Sequence, residues 1–154
     1  MHATPQQTVQ GTLARMDEGW AAFRGQIQSM RGELLEVRLA EGSWTRKQML
    51  AHVATWHDLT AQRLGRFVES GEPAGLEDET DVINARAARA AVGRTTGEIV
   101  LGMDDSYRRL RREVARLTDT QLIAHDAWAA AVVAGNTYDH YAEHRPDLDV
   151  AGST

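Results

Sequence analysis

The chain has 154 residues, 42% hydrophobic and 25% charged, which suits one domain with a single buried core and excludes a disordered or membrane-embedded protein. A net charge of −5 argues against a nucleic-acid partner. The arginines between Arg108 and Arg116 interleave with Asp104, Asp105 and Glu113, as paired charges on a solvated helix face do. With no cysteine there are no disulfides, thiolate ligands or internal thiol nucleophile, so any sulfur chemistry must arrive with a cofactor or substrate. The most apolar stretch, Ala127 to Ala134, falls far short of the roughly 20 residues that span a bilayer, so no membrane partner is expected. Gln6, Gln7 and Gln10 stand where a secretory signal would carry its apolar run, and the expected location is cytoplasmic.

In chain order, Val9, Leu13, Met16, Trp20, Phe23, Ile27 and Met30 alternate steps of four and three, the stripe of a helix laid against other helices. That helix is predicted from about Thr4 to Met30. Gly32 and the segment Glu36 to Gly42 weaken the pattern, and Thr45 with Gln48 then forms a capping box, with Trp44 placed to staple onto the first turn. The second helix runs to about Glu69. Its predicted inward face takes Met49, His52, Trp56, Leu59 and Arg63, whereas His57 lies about 100° around from that stripe. Ser70 to Gly75 reads as a loop and Asp81 to Ala91 as a short Ala-rich helix. Thr95 and Glu98 repeat the capping box ahead of a helix carrying Ile99, Met103, Tyr107, Leu110, Val114 and Leu117. Leu117 to Gln121 reads as a turn. The last long helix is predicted over Ala127 to Asp147, with Pro146 and Gly152 against its continuation. There is no strand alternation and no internal repeat. Four amphipathic helices bury their stripes most simply as an all-α four-helix bundle, one domain over residues 1–154 with a disordered tail at 149–154.

His140 and His144, four residues apart, stack on one helix face, and two imidazoles so placed can reach one ion. His52, inward on a different helix, would complete a tripod of neutral nitrogen donors. Such a set holds a divalent transition metal and leaves a coordination position open for water or substrate. Six histidines in the chain make a chance pair at this spacing common, so the pair gains weight only with the third ring. His57 is the poorer ligand candidate, and His2 and His125 read as terminal and loop residues. No Ser or Thr stands in a nucleophile-elbow motif.

The segment GSWTRKQMLAHVATWH, Gly42 to His57, resembles the second-helix signature of the DinB-like superfamily, a Trp-Ser/Thr start followed by an apolar stretch and a His. NTYDHYAEHRPDL, Asn136 to Leu148, resembles its fourth-helix signature. Asn84, Ser106-Tyr107 and Leu117-Thr118-Asp119 extend the likeness over most of the chain. The resemblance implies an up-down-down-up bundle, often a homodimer, with zinc or nickel held by three histidines matching His52, His140 and His144. Related branches include the mycothiol-dependent maleylpyruvate isomerases, where the metal activates a low-molecular-weight thiol. Trp56-His57, Asn84 and Asn136-Thr137 with His140-Tyr141 also resemble the colibactin self-protection family, in which the position of His144 is commonly not histidine. The histidine at 144 favours the metal-binding side.

The expectation is an enzyme in which a tris-histidine metal lowers the pKa of a thiol or water and presents the anion to a small electrophilic substrate. Asn84, Asn136, Tyr138 and Asp139 are candidates for orienting ligands or substrate. Asp139 is expected to cap or face solvent, and Trp56 to pack the core. The alternatives are a non-catalytic small-molecule-binding or stress self-protection protein, and a partner-binding helical module with an exposed apolar stripe.

Overall fold

The computed structural model describes residues 8–40 and 43–149; the predicted helix start at Thr4, His2 and the tail beyond Asp149 lie outside them. The elements are α1 (Val9–Gln28), a 3-10 turn (Gly32–Glu36), α2 (Arg46–Ser70), α3 (Thr80–Val92), α4 (Thr96–Ala115), α5 (Asp119–Asn136), α6 (Tyr138–His144) and a closing 3-10 turn (Arg145–Leu148). Threonines set the starts. Thr45, Thr95 and Thr118 each accept from the backbone N–H three residues on, and Gln48, Glu98 and Gln121 answer to the cap backbone, forming three complete capping boxes. Thr8 accepts from Gly11 N–H to start α1.

Side-chain contacts fix the direction of each helix. Lys47 donates to the Arg94 carbonyl near the start of both α2 and α4, and Asp58 pairs with Arg109 farther along both, so these two run parallel. Asp17 with Arg111 and Arg24 with Asp104 make α1 antiparallel to α4. Phe67 against Trp128 and His52 against His140 make the α5–α6 arm antiparallel to α2. The result is the up-down-down-up order, with α3 as the crossing segment between the two parallel helices. The core closes on an aromatic cluster in which Trp20 stacks on Tyr107, centroids 4.4 Å apart, and Phe23 stacks on Tyr141 at 5.1 Å. A Cβ at Gly19 would stand 2.9 Å from the Tyr138 Cβ, so α1 and α6 approach each other only because residue 19 has no side chain. No helix among the described residues is long and apolar enough to cross a membrane.

The structure corrects two predictions. The predicted turn at Leu117 to Gln121 is the capped start of α5, so the last arm begins at Asp119 rather than Ala127. That arm is also not one helix. Ala124 is extended, and His125, Asp126 and Ala127 hold left-handed φ values of 54°, 55° and 59°. A second break at Thr137, φ −126° and ψ −106°, separates α5 from α6. Left-handed backbone costs a non-glycine residue roughly 1 kcal/mol or more, and here it accompanies tertiary contacts that a continuous helix pattern does not encode. His125 Nε2 meets the Gly71 carbonyl at 2.8 Å, and Trp128 packs on Phe67 at 5.2 Å.

The second correction concerns the inward face of α2. Leu59 and Arg63 are only half-buried, whereas His57, Thr60, Leu64 and Phe67 are sealed. α2 is covered by α3 on one side, α4 on another and the α5–α6 arm on a third. Its apolar stripe is therefore wider than one amphipathic face, and a 100° offset does not carry His57 into water.

Candidate metal centre

The three histidines meet. The Nε2 atoms of His52 and His140 are 2.9 Å apart, and those of His144 and His140 are 3.0 Å apart. One ligand atom from each ring lies within 4.8 Å of those from the other two, an arrangement that could hold a metal ion. His52 is supplied by the second turn of α2, and His140 and His144 by one face of α6. The break at Thr137 sets the direction of that face. Both His52 and His140 are 8% exposed, so each ring is inside the protein but close to its surface.

Hydrogen bonding determines where the protons sit. Indole N–H can only donate, so the Asn84 atom 2.7 Å from Trp56 Nε1 is the amide oxygen. The same oxygen lies 3.0 Å from His52 Nδ1, which must then carry a hydrogen and donate it. In the neutral ring this leaves His52 Nε2 as a bare lone pair aimed at its neighbours. His144 is held in the same sense, Nδ1 facing the Asp147 carboxylate at 3.3 Å. Two lone pairs therefore point at His140 Nε2, which has at most one proton to share between them. The Nδ1 of His140 is buried without a hydrogen-bond partner among the described residues. This donor set could hold a divalent cation: imidazole nitrogens suit transition metals, and the outer N–H groups of two of the three rings are already anchored.

Electrostatics keeps His52 and His140 neutral. Burial, with the nearby His144, lowers the His52 pKa to about 4. The same two causes, with smaller contributions from His52 and His57, bring His140 to about 3. Neither ring has a proton to shed at neutral pH before it coordinates.

The remaining candidates are distributed unevenly. Asn84 and Trp56 form the chain that orients His52, and Trp56 is also 93% covered, as a core residue would be, being only 7% exposed. Asn136 turns back along its own helix to donate to the Val132 carbonyl. Tyr138 lies under the Arg15 guanidinium, 4.2 Å from its ring centre, and Asp139 faces solvent. Among the described residues, none of these last three is hydrogen-bonded to the histidine cluster. Two neighbours escape a reading by motif. Asp147, signalled only by its place three residues after His144, anchors that ring, and Trp44 lies 5.2 Å from His52, ring centre to ring centre.

His57 is arranged differently. Ser106 donates to the Met103 carbonyl, so its oxygen accepts from His57 Nδ1–H at 2.8 Å, and Tyr141 O–H donates to His57 Nε2 at 2.6 Å. Both nitrogens are saturated, and burial holds the ring neutral, with a pKa of about 3. This ring has nothing left to offer a ligand.

Among known families, the model of the DinB superfamily matches residues 15–145, a stretch that contains all three converging histidines. No curated protein and no solved structure matches the chain.

Proposed function

Since the chain belongs to the DinB superfamily, we propose that it is a metal-dependent enzyme whose ion, zinc or nickel, is held by the Nε2 atoms of His52, His140 and His144. The observation that carries this reading is the convergence of two anchored lone pairs on His140 Nε2. A divalent ion bound by three imidazoles supplies Lewis acidity, which lowers the pKa of a thiol or water toward neutrality. The chain's own contribution is to present neutral ligands in fixed tautomers. Asn84, itself fixed by Trp56, orients His52, and Asp147 orients His144. Trp44 shields one side of His52. Asn136, Tyr138 and Asp139 are candidates for orienting ligands or substrate, none of them hydrogen-bonded to the histidines among the described residues. The substrate is a small electrophile, the co-substrate a low-molecular-weight thiol as in the mycothiol-dependent isomerases, and the working form a cytoplasmic homodimer.

The test is elemental analysis of untagged protein, followed by thiol consumption against a panel of small electrophiles. One zinc or nickel per chain, lost together with thiol-dependent turnover in His52→Ala and His144→Ala, is the expected result. Metal content indifferent to both substitutions would overturn it.

One observation favours a second reading, a non-catalytic small-molecule-binding or self-protection protein of the same fold. A cavity of about 390 Å³ lies between α2, α3 and the loop that joins them, and none of the three histidines lines it.

A further inference from the structure

That cavity has a definite chemistry. Its apolar lining is Leu59, Leu76, Ile83, Ala87 and Ala90. The space exists because α3 turns alanines toward α2, where larger side chains would close the gap; Ala87 and Ala90 also border a second cavity of about 250 Å³ on the side facing α4. Thr55, Gln62 and Gly75 contribute to the wall, as do five charged side chains. Arg66 is paired with Glu77 at 3.4 Å and Arg86 with Asp78 at 3.2 Å. The fifth, Arg63, has no carboxylate within ion-pair distance among the described residues. Its Nε donates to the Ala74 carbonyl at 2.9 Å and its guanidinium lies 5.4 Å from the centre of the Trp128 ring. Its two terminal nitrogens carry no hydrogen bond to the described residues. Partial burial draws its pKa below the ordinary arginine value. A guanidinium lying over an indole, anchored through Nε and without a hydrogen bond to the described residues at either terminal nitrogen, offers the fork that a carboxylate fills with two parallel hydrogen bonds.

We propose that this cavity binds an amphipathic monocarboxylate, its carboxylate on Arg63 and its apolar body against Leu59, Ile83 and Ala87. The proposal deepens the second reading above and is independent of metal binding. His52 and Arg63 are separated along α2 by about 16 Å at the helical rise, so a compact ligand cannot touch both. The lining joins an apolar patch to a rim of polar groups in which Arg66 and Arg86 already hold carboxylate partners and Arg63 does not, a combination suited to a small amphipathic ligand.

Calorimetric titration of the full chain with octanoate, octanol and octylamine, below their micellar range, tests it. The expected result is one octanoate per chain, with octanol and octylamine weaker by about tenfold or more, the usual worth of a charge-assisted pair. Arg63→Gln should lose that same factor, Arg63→Lys should fall between, and Ala87→Leu, which places an isobutyl group where the apolar body packs and leaves Arg63 in place, should weaken binding by about tenfold or more. His140→Ala should leave octanoate binding unchanged while removing bound metal, so the two proposals fail separately. Octanoate and octanol binding alike, no octanoate binding at all, or octanoate binding lost in His140→Ala would each overturn the assignment. The octanol and Ala87→Leu arms decide the matter even if Arg63→Gln does not fold.

Discussion

α2 carries two buried histidines five residues apart, and they end in opposite chemical states. His57 spends both nitrogens, one on Ser106 and one on Tyr141, inside a network whose every proton has an acceptor. His52 spends one nitrogen on Asn84 and aims the other at a second imidazole that cannot accommodate both lone pairs facing it. Burial is similar in kind and the neutral state is common to both. What separates a structural histidine from a candidate ligand here is its hydrogen bonding, because a saturated ring stabilises the fold and an unsaturated one keeps binding capacity in reserve.

The largest effects should come from removing the rings, and they should cross. His57→Ala leaves the Tyr141 O–H without its acceptor, takes from Ser106 the donor to its oxygen while its bond to the Met103 carbonyl remains, and opens a void, for a predicted loss of about 3–5 kcal/mol in unfolding free energy. Its metal content, in whatever fraction folds, should be that of the wild type. His140→Ala relieves the crowded lone pairs, and should cost the metal-free protein less than half as much while weakening metal binding by more than about a hundredfold, beyond what outer partners alone are worth. Urea unfolding in chelator and a metal titration check both halves. Equal stability losses would erase the distinction between the two clusters.

A smaller effect sharpens it. Trp56→Phe keeps the packing but removes the N–H that dictates which way the Asn84 amide faces. With the amide free to flip, His52 loses its enforced tautomer, and metal affinity should fall about tenfold to a hundredfold, with unfolding free energy nearly unchanged. A competition titration with a chromophoric chelator measures this. Unchanged affinity would mean that Trp56 serves packing alone.

Much of this contrast was open to reading in the amino-acid order, and the reasons for the rest are physical. Helix starts were legible because a capping box is local, written in Thr45–Gln48 and Thr95–Glu98. The pair His140 and His144 was legible because helical spacing alone places the two rings on one face. The break at 124–127 is hidden, since contacts with distant Gly71 and Phe67 accompany it while local periodicity continues through, as it does through the one at Thr137. A single inward stripe for α2 leaves His57 out, whereas three neighbours surround that helix and bury it. Asn84 belonged to the family likeness, but its part in fixing a tautomer depends on Trp56 and His52 meeting it from another helix.

The smallest prediction concerns pH. His57 titrates near 3 in the folded protein and near the ordinary histidine value of 6.5 when unfolded. Between these values the unfolded chain binds a proton that the folded chain refuses, so stability rises with pH across that window. The contribution is complete above pH 6.5 and is lost as the pH falls toward 3. One such group adds a slope of at most about 1.4 kcal/mol per pH unit. His57→Gln retains a donor and an acceptor but has no proton to take up in this range, so its unfolding free energy should decline less steeply than that of the wild type between pH 6 and pH 4.5, a window chosen inside the two values above. A series of urea transitions in chelator reads the difference. Identical slopes would show that His57 takes up a proton in the native state, and the saturated network around it would then have to open to admit one.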